Sequence, residues 1–140
     1  MSSLAHFSQV KAFLFDVDGV FTNNEVQITE AGKLLRTIHL RDSFALKMAL
    51  REGFPIGIIT GGTSLGITKR LNELGIEFVA VGKHHKVPSL HEFAEKYALD
   101  LNHILYMGDD FPDIPVLNKV GLPSCPSDAI PEIFPLATYI

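Results

Sequence analysis

The chain has 140 residues, enough for one compact domain with a real core and too few for two ordinary ones. Hydrophobic residues make up 46% and charged residues 20%, a balance that excludes a disordered chain. A formal net charge of -4 argues against a general nucleic-acid binder, which needs a basic face.

Cys125 is the single cysteine, so no intramolecular disulfide can form and a reducing, cytoplasmic compartment is expected. No apolar run approaches membrane-spanning length, and no basic stretch with a long apolar core opens the chain. Neither a membrane span nor a secretory leader is therefore expected.

In chain order, Ala12 to Phe15 is a continuous apolar run that reads as a strand buried on both faces. It ends abruptly in Asp16-Val17-Asp18-Gly19. From Phe21 to Leu40 the pattern changes. Glu25 to Thr29 alternates polar and apolar residues, Glu30-Ala31-Gly32-Lys33 supplies a turn, and Leu34 to Leu40 alternates again. That predicts a β-hairpin with Leu34, Ile38 and Leu40 on one face and Leu35 with His39 on the other. A two-stranded ribbon cannot bury two apolar faces alone, so it is expected to pack against a partner subunit or another part of the domain.

Helices and strands then alternate. Asp42 is expected to cap a helix running to about Glu52, with Phe44, Ala45, Met48 and Ala49 along one side and Gly53 as its stop. Pro55 to Thr60 reads as a strand, Ser64 to Leu74 as a helix, and Ile76 to Val81 as the next strand. A helix over Pro88 to Ala98 turns Leu90, Phe93, Ala94 and Tyr97 inward. Ile104 to Met107 reads as a strand, and Pro112 opens a short helix. Gly121 to Cys125 would be a fifth strand, and Ser127 starts a last short helix. Ala137 to Ile140 looks like a strand just beginning, as though the chain were part of something longer. The alternation predicts an α/β fold: a doubly wound, Rossmann-like parallel sheet with helices on both faces and a hairpin after the first strand. Residues 1–140 read as a single domain.

Strand ends in such a sheet share one rim, where open α/β sheets bind ligands. The first strand delivers Asp16 and Asp18 there, the second Thr60 and the fourth Asp109 and Asp110, while Lys83 and Lys86 follow the third. Carboxylates, a hydroxyl and an ammonium suit a magnesium-dependent phosphoryl site. Hard oxygen ligands hold the cation, a carboxylate can act as nucleophile, and hydroxyl, N–H and lysine bind phosphate oxygens.

Asp16-Val17-Asp18-Gly19, Thr60-Gly61, Lys86 and Gly108-Asp109-Asp110-Phe111-Pro112-Asp113 resemble the four ordered motifs of the haloacid dehalogenase-like phosphatases. The resemblance implies that Asp16 is the nucleophile and forms an aspartyl-phosphate. It implies that Asp18 protonates the leaving oxygen and later activates water. Thr60, Gly61 and Lys86 would hold the phosphoryl group. Asp16, Asp109 and the Asp18 main-chain carbonyl would bind Mg2+, with Asp110 and Asp113 in support.

The hairpin in place of a cap domain, Asp16 to Val20, and His39-Leu40-Arg41-Asp42 resemble the capless branch of that family. The branch contains 3-deoxy-D-manno-octulosonate 8-phosphate phosphatase and phosphatases of nine-carbon sugar-acid 9-phosphates. It implies a phosphorylated sugar acid as substrate and a homotetramer assembled through the hairpin, with no nucleic acid or membrane as partner. The alternative is an assembly module that keeps the scaffold without turnover. Two departures stand out. Many octulosonate phosphatases have Thr-Gly-Arg where this chain has Thr60-Gly61-Gly62, and their glycine-rich tail has no counterpart before Ile140.

Several residues carry a plainer reading as well. Arg41 sits where the ribbon returns to the rim and is a candidate substrate contact, or covers the hairpin with its stem. Asp113 doubles as a helix-start residue, and Lys83 competes with Lys86 for phosphate. Adjacent His84 and His85 do not share a helix face and suggest no zinc site. Cys125 reads as a small buried residue. A phospho-accepting receiver has similar residue types but carries its acceptor aspartate at the third strand, which here ends Val79-Ala80-Val81-Gly82.

Overall fold

The computed structural model describes residues 3–140. In chain order these form α1 (Ser3–Phe7), β1 (Ala12–Phe15), β2 (Gln27–Ile28), β3 (Leu34–Leu35), α2 (Leu40–Arg51), β4 (Ile56–Ile59), α3 (Leu65–Glu73), β5 (Phe78–Ala80), α4 (Val87–Lys96), β6 (Ile104–Met107), α5 (Ile114–Leu117) and β7 (Leu122–Ser124). Five strands make one parallel sheet in the order β5-β4-β1-β6-β7. The chain works outward from β1 through β4 to β5, then returns to place β6 on the other side of β1. The carboxyl ends of β1 and β6 therefore flank the crevice where the winding direction reverses.

Side-chain alternation along β1 explains the layers. Ala12 and Leu14 are fully buried among Leu90 and Phe93 of α4 and Val116 and Leu117 of α5. Phe13 and Phe15 point to the opposite face, against the cluster containing Leu46 of α2 and Leu71 of α3. Both sheet faces thus carry helices, as the apolar runs predict. Gly57 of β4, paired with Leu14, lets α4 approach closely. A Cβ there would sit 2.7 Å from both Leu14 Cδ1 and Phe93 Cδ2.

The ribbon after β1 is antiparallel but shorter than the alternating pattern suggests. Only Gln27↔Leu35 and Ile28↔Leu34 pair, around a turn closed by Gly32 N–H donating to the Thr29 carbonyl. Residues 36–39 leave the ribbon, and Leu40 is the first residue of α2 rather than the end of a strand. His39 is the N-cap: its Nδ1 accepts from the Arg41 N–H at 3.1 Å. Asp42, expected as the cap, lies in the first turn, where its charge still suits the helix dipole.

The inward face of α2 also differs from the expectation. Ser43 and Leu46 are buried, whereas Phe44 and Met48 are exposed. Apolar residues occupy two sides of this helix, so periodicity alone does not choose between them. The last predicted helix does not start at Ser127. A 3-10 turn begins at Pro131, which has no N–H to complete an α-turn from residue 127 but costs nothing as a first helical residue. The carboxyl-terminal strand is reduced to a parallel bridge between Tyr139 and Ser124, with Cys125 N–H donating to the Tyr139 carbonyl at 3.1 Å. Cys125 is buried in the core. No helix among the described residues is long and apolar enough to cross a membrane.

Candidate active site

The acidic residues that follow β1 and β6 meet at the crevice. Asp16 continues the β1 ladder, its N–H donating to the Met107 carbonyl at 3.1 Å. Its carboxylate is buried, with Oδ1 accepting from the Val17 N–H at 2.7 Å and Oδ2 lying 3.1 Å from Lys86 Nζ. Gly19 turns the chain away at φ +83°, and a Cβ at that position would collide with the Asp109 carboxylate. Only glycine satisfies both the left-handed backbone and that close approach.

Asp113 is the buried hub. Its Oδ1 accepts from Lys86 Nζ at 2.7 Å and from the Tyr106 hydroxyl at 2.5 Å. Its Oδ2 accepts from the Asp109 N–H at 2.9 Å and the Asp110 N–H at 3.2 Å. One carboxylate therefore holds the lysine in place and shapes the loop after β6. Asp110 itself is exposed and caps the following 3-10 turn through the Phe111 N–H at 2.7 Å.

Burial first, and charge crowding second, favour the neutral carboxyls in this cluster. Burial, followed by the Asp113 charge, pushes Asp16 up to about 7, although Lys86 pulls the other way. Burial likewise pushes Asp109 up to about 6, with the Asn24 hydrogen bond opposing it and Asp113 and Asp110 adding to it. Burial and the neighbouring Asp113 raise the Tyr106 phenol well above its usual range, so it remains a donor.

Oxygens of Asp16, Asp109 and Asp113 lie within 4.8 Å of one another. Asp113 already accepts from four donors, whereas Asp16 and Asp109 have fewer partners and keep capacity to meet a cation. Among the described residues, Asp109 Oδ1 is buried without a hydrogen-bond partner. A buried carboxylate oxygen left unpaired beside a second carboxylate fits a divalent metal with hard oxygen ligands.

A cavity of about 220 Å³ opens over these groups. Asp16, Asp18, Thr60, Gly61, Lys86 and Asp109 all line it. Thr60 is buried at the end of β4, its Oγ1 accepting from the Gly62 N–H at 3.1 Å. Lys83 is exposed at the rim beside His84, whereas Lys86 points into the acidic cluster. Arg41 stands apart. It lines a larger neighbouring cavity of about 960 Å³ with His39, Asn23 and Asp128.

Against curated proteins, the chain is 31% identical over 137 residues to 3-deoxy-D-manno-octulosonate 8-phosphate phosphatase KdsC of Escherichia coli K12, covering 98% of this chain and 73% of that enzyme. The chain belongs to the haloacid dehalogenase-like phosphatases. Residues 75–140 also match the haloacid dehalogenase-like hydrolase family directly. Among solved structures, the octulosonate phosphatase of Yersinia pestis aligns with a TM-score of 0.94 at 28% identity, covering 98% of this chain and 74% of that one. The Moraxella catarrhalis enzyme, solved with a magnesium ion, a phosphate ion and a KDO molecule, aligns at 0.93 with 25% identity, covering 99% and 79%.

Three polar residues in this phosphatase escape the motif reading. Asn24, at φ +69°, donates from Nδ2 to Asp109 Oδ2 at 2.6 Å. Arg36 makes a two-pronged contact with Asp18, Nε to Oδ1 at 2.7 Å and Nη2 to Oδ2 at 3.2 Å. Tyr106 holds Asp113 from within β6. Of these, only Tyr106 carries a sequence signal: a phenol inside a buried strand needs a partner for its hydroxyl.

Proposed function

We propose that this chain is a magnesium-dependent phosphomonoester hydrolase that works through an aspartyl-phosphate on Asp16. The substrate class is a phosphorylated sugar acid, with 3-deoxy-D-manno-octulosonate 8-phosphate first. The observation that carries the reading is the buried Asp16 carboxylate, 3.1 Å from Lys86 and with an oxygen within 4.8 Å of one of Asp109. The named activity of the E. coli relative and the ligands of the M. catarrhalis structure support it.

In this reading Asp16 attacks phosphorus while Lys86, Thr60 and the Gly61 backbone hold the phosphoryl oxygens. The bond from phosphorus to the leaving oxygen breaks, and Asp18 gives that oxygen its proton. Asp18, now a carboxylate, takes a proton from water as the water oxygen attacks phosphorus. Phosphate departs and Asp16 is regenerated. Asp16, Asp109 and the Asp18 carbonyl would hold Mg2+, which favours the ionised carboxylates and offsets phosphoryl charge. Asp113 and Asp110 support the loop, and Arg41 contacts the sugar from the larger cavity.

Residues 1–140 act as a single domain in the cytoplasm, assembled as a homotetramer through the ribbon. Exposed Ile28, Leu34 and Leu35 support the assembly. The test is hydrolysis of p-nitrophenyl phosphate with magnesium, followed by kcat/KM for eight-carbon and nine-carbon sugar-acid phosphates. Magnesium-dependent turnover with preference for the eight-carbon acid is expected. Preference for nine carbons shifts the substrate, and no turnover of any ester leaves the assembly module.

A further inference from the structure

Arg36 leaves β3 and turns back into the molecule, its side chain only 11% exposed on a largely solvated ribbon. Both prongs of its guanidinium engage Asp18, at 2.7 and 3.2 Å. A single-pronged contact fixes a distance. A two-pronged one also fixes the plane of the carboxylate.

Gly62 leaves the room. A Cβ built there lies 3.6 Å from Arg36 Nη2, 3.6 Å from Thr60 Oγ1 and 3.7 Å from Asp18 Oδ2. A longer side chain at position 62 would compete for the space in front of Thr60 that the guanidinium now borders. Arginine thus reaches this corner of the site from the hairpin.

The plain alternative is a strut that ties the ribbon to the body. The pair is part-buried, with side-chain exposures of 11% and 36%, so tying the ribbon to the body is one role it can fill. What distinguishes Arg36 is its target, the acid assigned to proton transfer.

We propose that Arg36 is a positioning residue for Asp18, aiming its carboxyl group at the leaving oxygen and stabilising the charge it acquires there. The inference rests on the phosphatase reading above. As the bond between phosphorus and the leaving oxygen breaks, its electron pair stays on that oxygen. The Asp18 proton moves to it, and Asp18 ends as a carboxylate against the guanidinium. Electrostatic help placed where charge develops acts on the transition state rather than on ground-state binding.

Leaving groups separate this role from a structural one. p-Nitrophenolate departs without a proton, whereas the alkoxide of a sugar phosphate needs one. General acid catalysis contributes about 10²–10⁴-fold, so a misaimed acid penalises only the second class heavily. For wild type, Arg36→Ala and Arg36→Lys, kcat/KM is measured with p-nitrophenyl phosphate and with a phosphorylated sugar acid. Arg36→Ala is expected to lower the sugar-acid value at least about tenfold more than the aryl value. Arg36→Lys recovers part of that ratio, because charge returns without the fork. In an Asp18→Asn background, where the second step is lost, the ratio is taken from single-turnover phosphorylation rates, and Arg36→Ala changes it no further.

Because the ratio is taken within one preparation, a smaller folded fraction cancels. Equal losses on both substrates, or an unchanged ratio in an active Arg36→Ala variant, overturn the positioning role while the phosphatase reading stands. A wild type inert toward every phosphate ester overturns both.

Discussion

The Lys86 ammonium lies 2.7 Å from the Asp113 carboxylate, with side-chain exposures of 3% and 0%. The pair is tied to Tyr106 and to two backbone N–H groups, so it joins α4 to the loop after β6. Removing Asp113 leaves Lys86 with Asp16 alone and strips the Tyr106 hydroxyl and the Asp109 and Asp110 N–H groups of their acceptor. Asp113→Ala is expected to destabilise the fold by roughly 3–5 kcal/mol in denaturant titration. Turnover should fall as well, because Lys86 loses its anchor. A variant of wild-type stability would show that the pair contributes nothing to the fold.

Asp16→Asn is expected to lower kcat by at least about three orders of magnitude, since the amide is no longer a nucleophile. Asp18→Asn keeps the nucleophile and lacks the base for the second step. With an activated aryl phosphate it should accumulate covalent phosphate, visible by intact-protein mass spectrometry. Full activity in the Asp16 variant would refute nucleophilic catalysis by this residue.

Asn24 tests the support given to Asp109. Its side chain donates at 2.6 Å, and its backbone is in the left-handed region. Asn24→Gly keeps that backbone without strain and removes the donor. Supporting hydrogen bonds of this kind are worth about 10–100-fold in metal affinity. The magnesium concentration for half-maximal activity should rise correspondingly. An unchanged magnesium requirement would remove Asn24 from the site.

The raised carboxyls make stability depend on pH with a definite sign. Without a metal, burial pushes Asp16 up to about 7 and Asp109 up to about 6, against 3.8 for an ordinary aspartate. The native state therefore binds more protons than the unfolded chain between about pH 4 and 7. Their contribution is fully present below pH 4 and is lost as pH rises through 6 and 7. In chelator, the melting temperature should fall from pH 5.5 to 7.5. Added magnesium should reverse this trend, with a larger gain at pH 7.5, where both carboxylates are ionised. Measurements by scanning calorimetry with and without chelator give both signs.

Self-association is the last test. Ile28, Leu34 and Leu35 on the ribbon are 71%, 49% and 52% exposed, too much apolar surface for two short strands to cover themselves. Sedimentation velocity at micromolar concentration should show an oligomer, and Leu35→Lys should weaken it. A strictly monomeric wild type counts against assembly through the hairpin.

Periodicity made much of this fold legible. The strands through Phe13, Ile58 and Leu105 are continuous apolar runs, which only a sheet covered on both faces accommodates. It failed where two patterns coexist. Along α2, Phe44 and Met48 are as apolar as Leu46 and Leu50, and only the position of the sheet decides which side turns in. It also failed at His39, because a side-chain cap depends on a ring nitrogen reaching a particular N–H. Beyond the ends of the short β2–β3 pairing, an alternating sequence continues with no partner strand to extend it.

The order of chemistry along the chain was determined by sequence alone: Asp16 and Asp18 after one strand, Thr60 after the next, Lys86 and Asp109 later. Local rules suffice there, because a parallel sheet delivers every strand end to the same rim. Tertiary structure alone decided how those groups are held. Arg36 reaches Asp18 across 18 residues and Asn24 reaches Asp109 across 85. Such contacts depend on where the ribbon lies in space, and neither spacing nor hydropathy records the direction of a side chain across that gap.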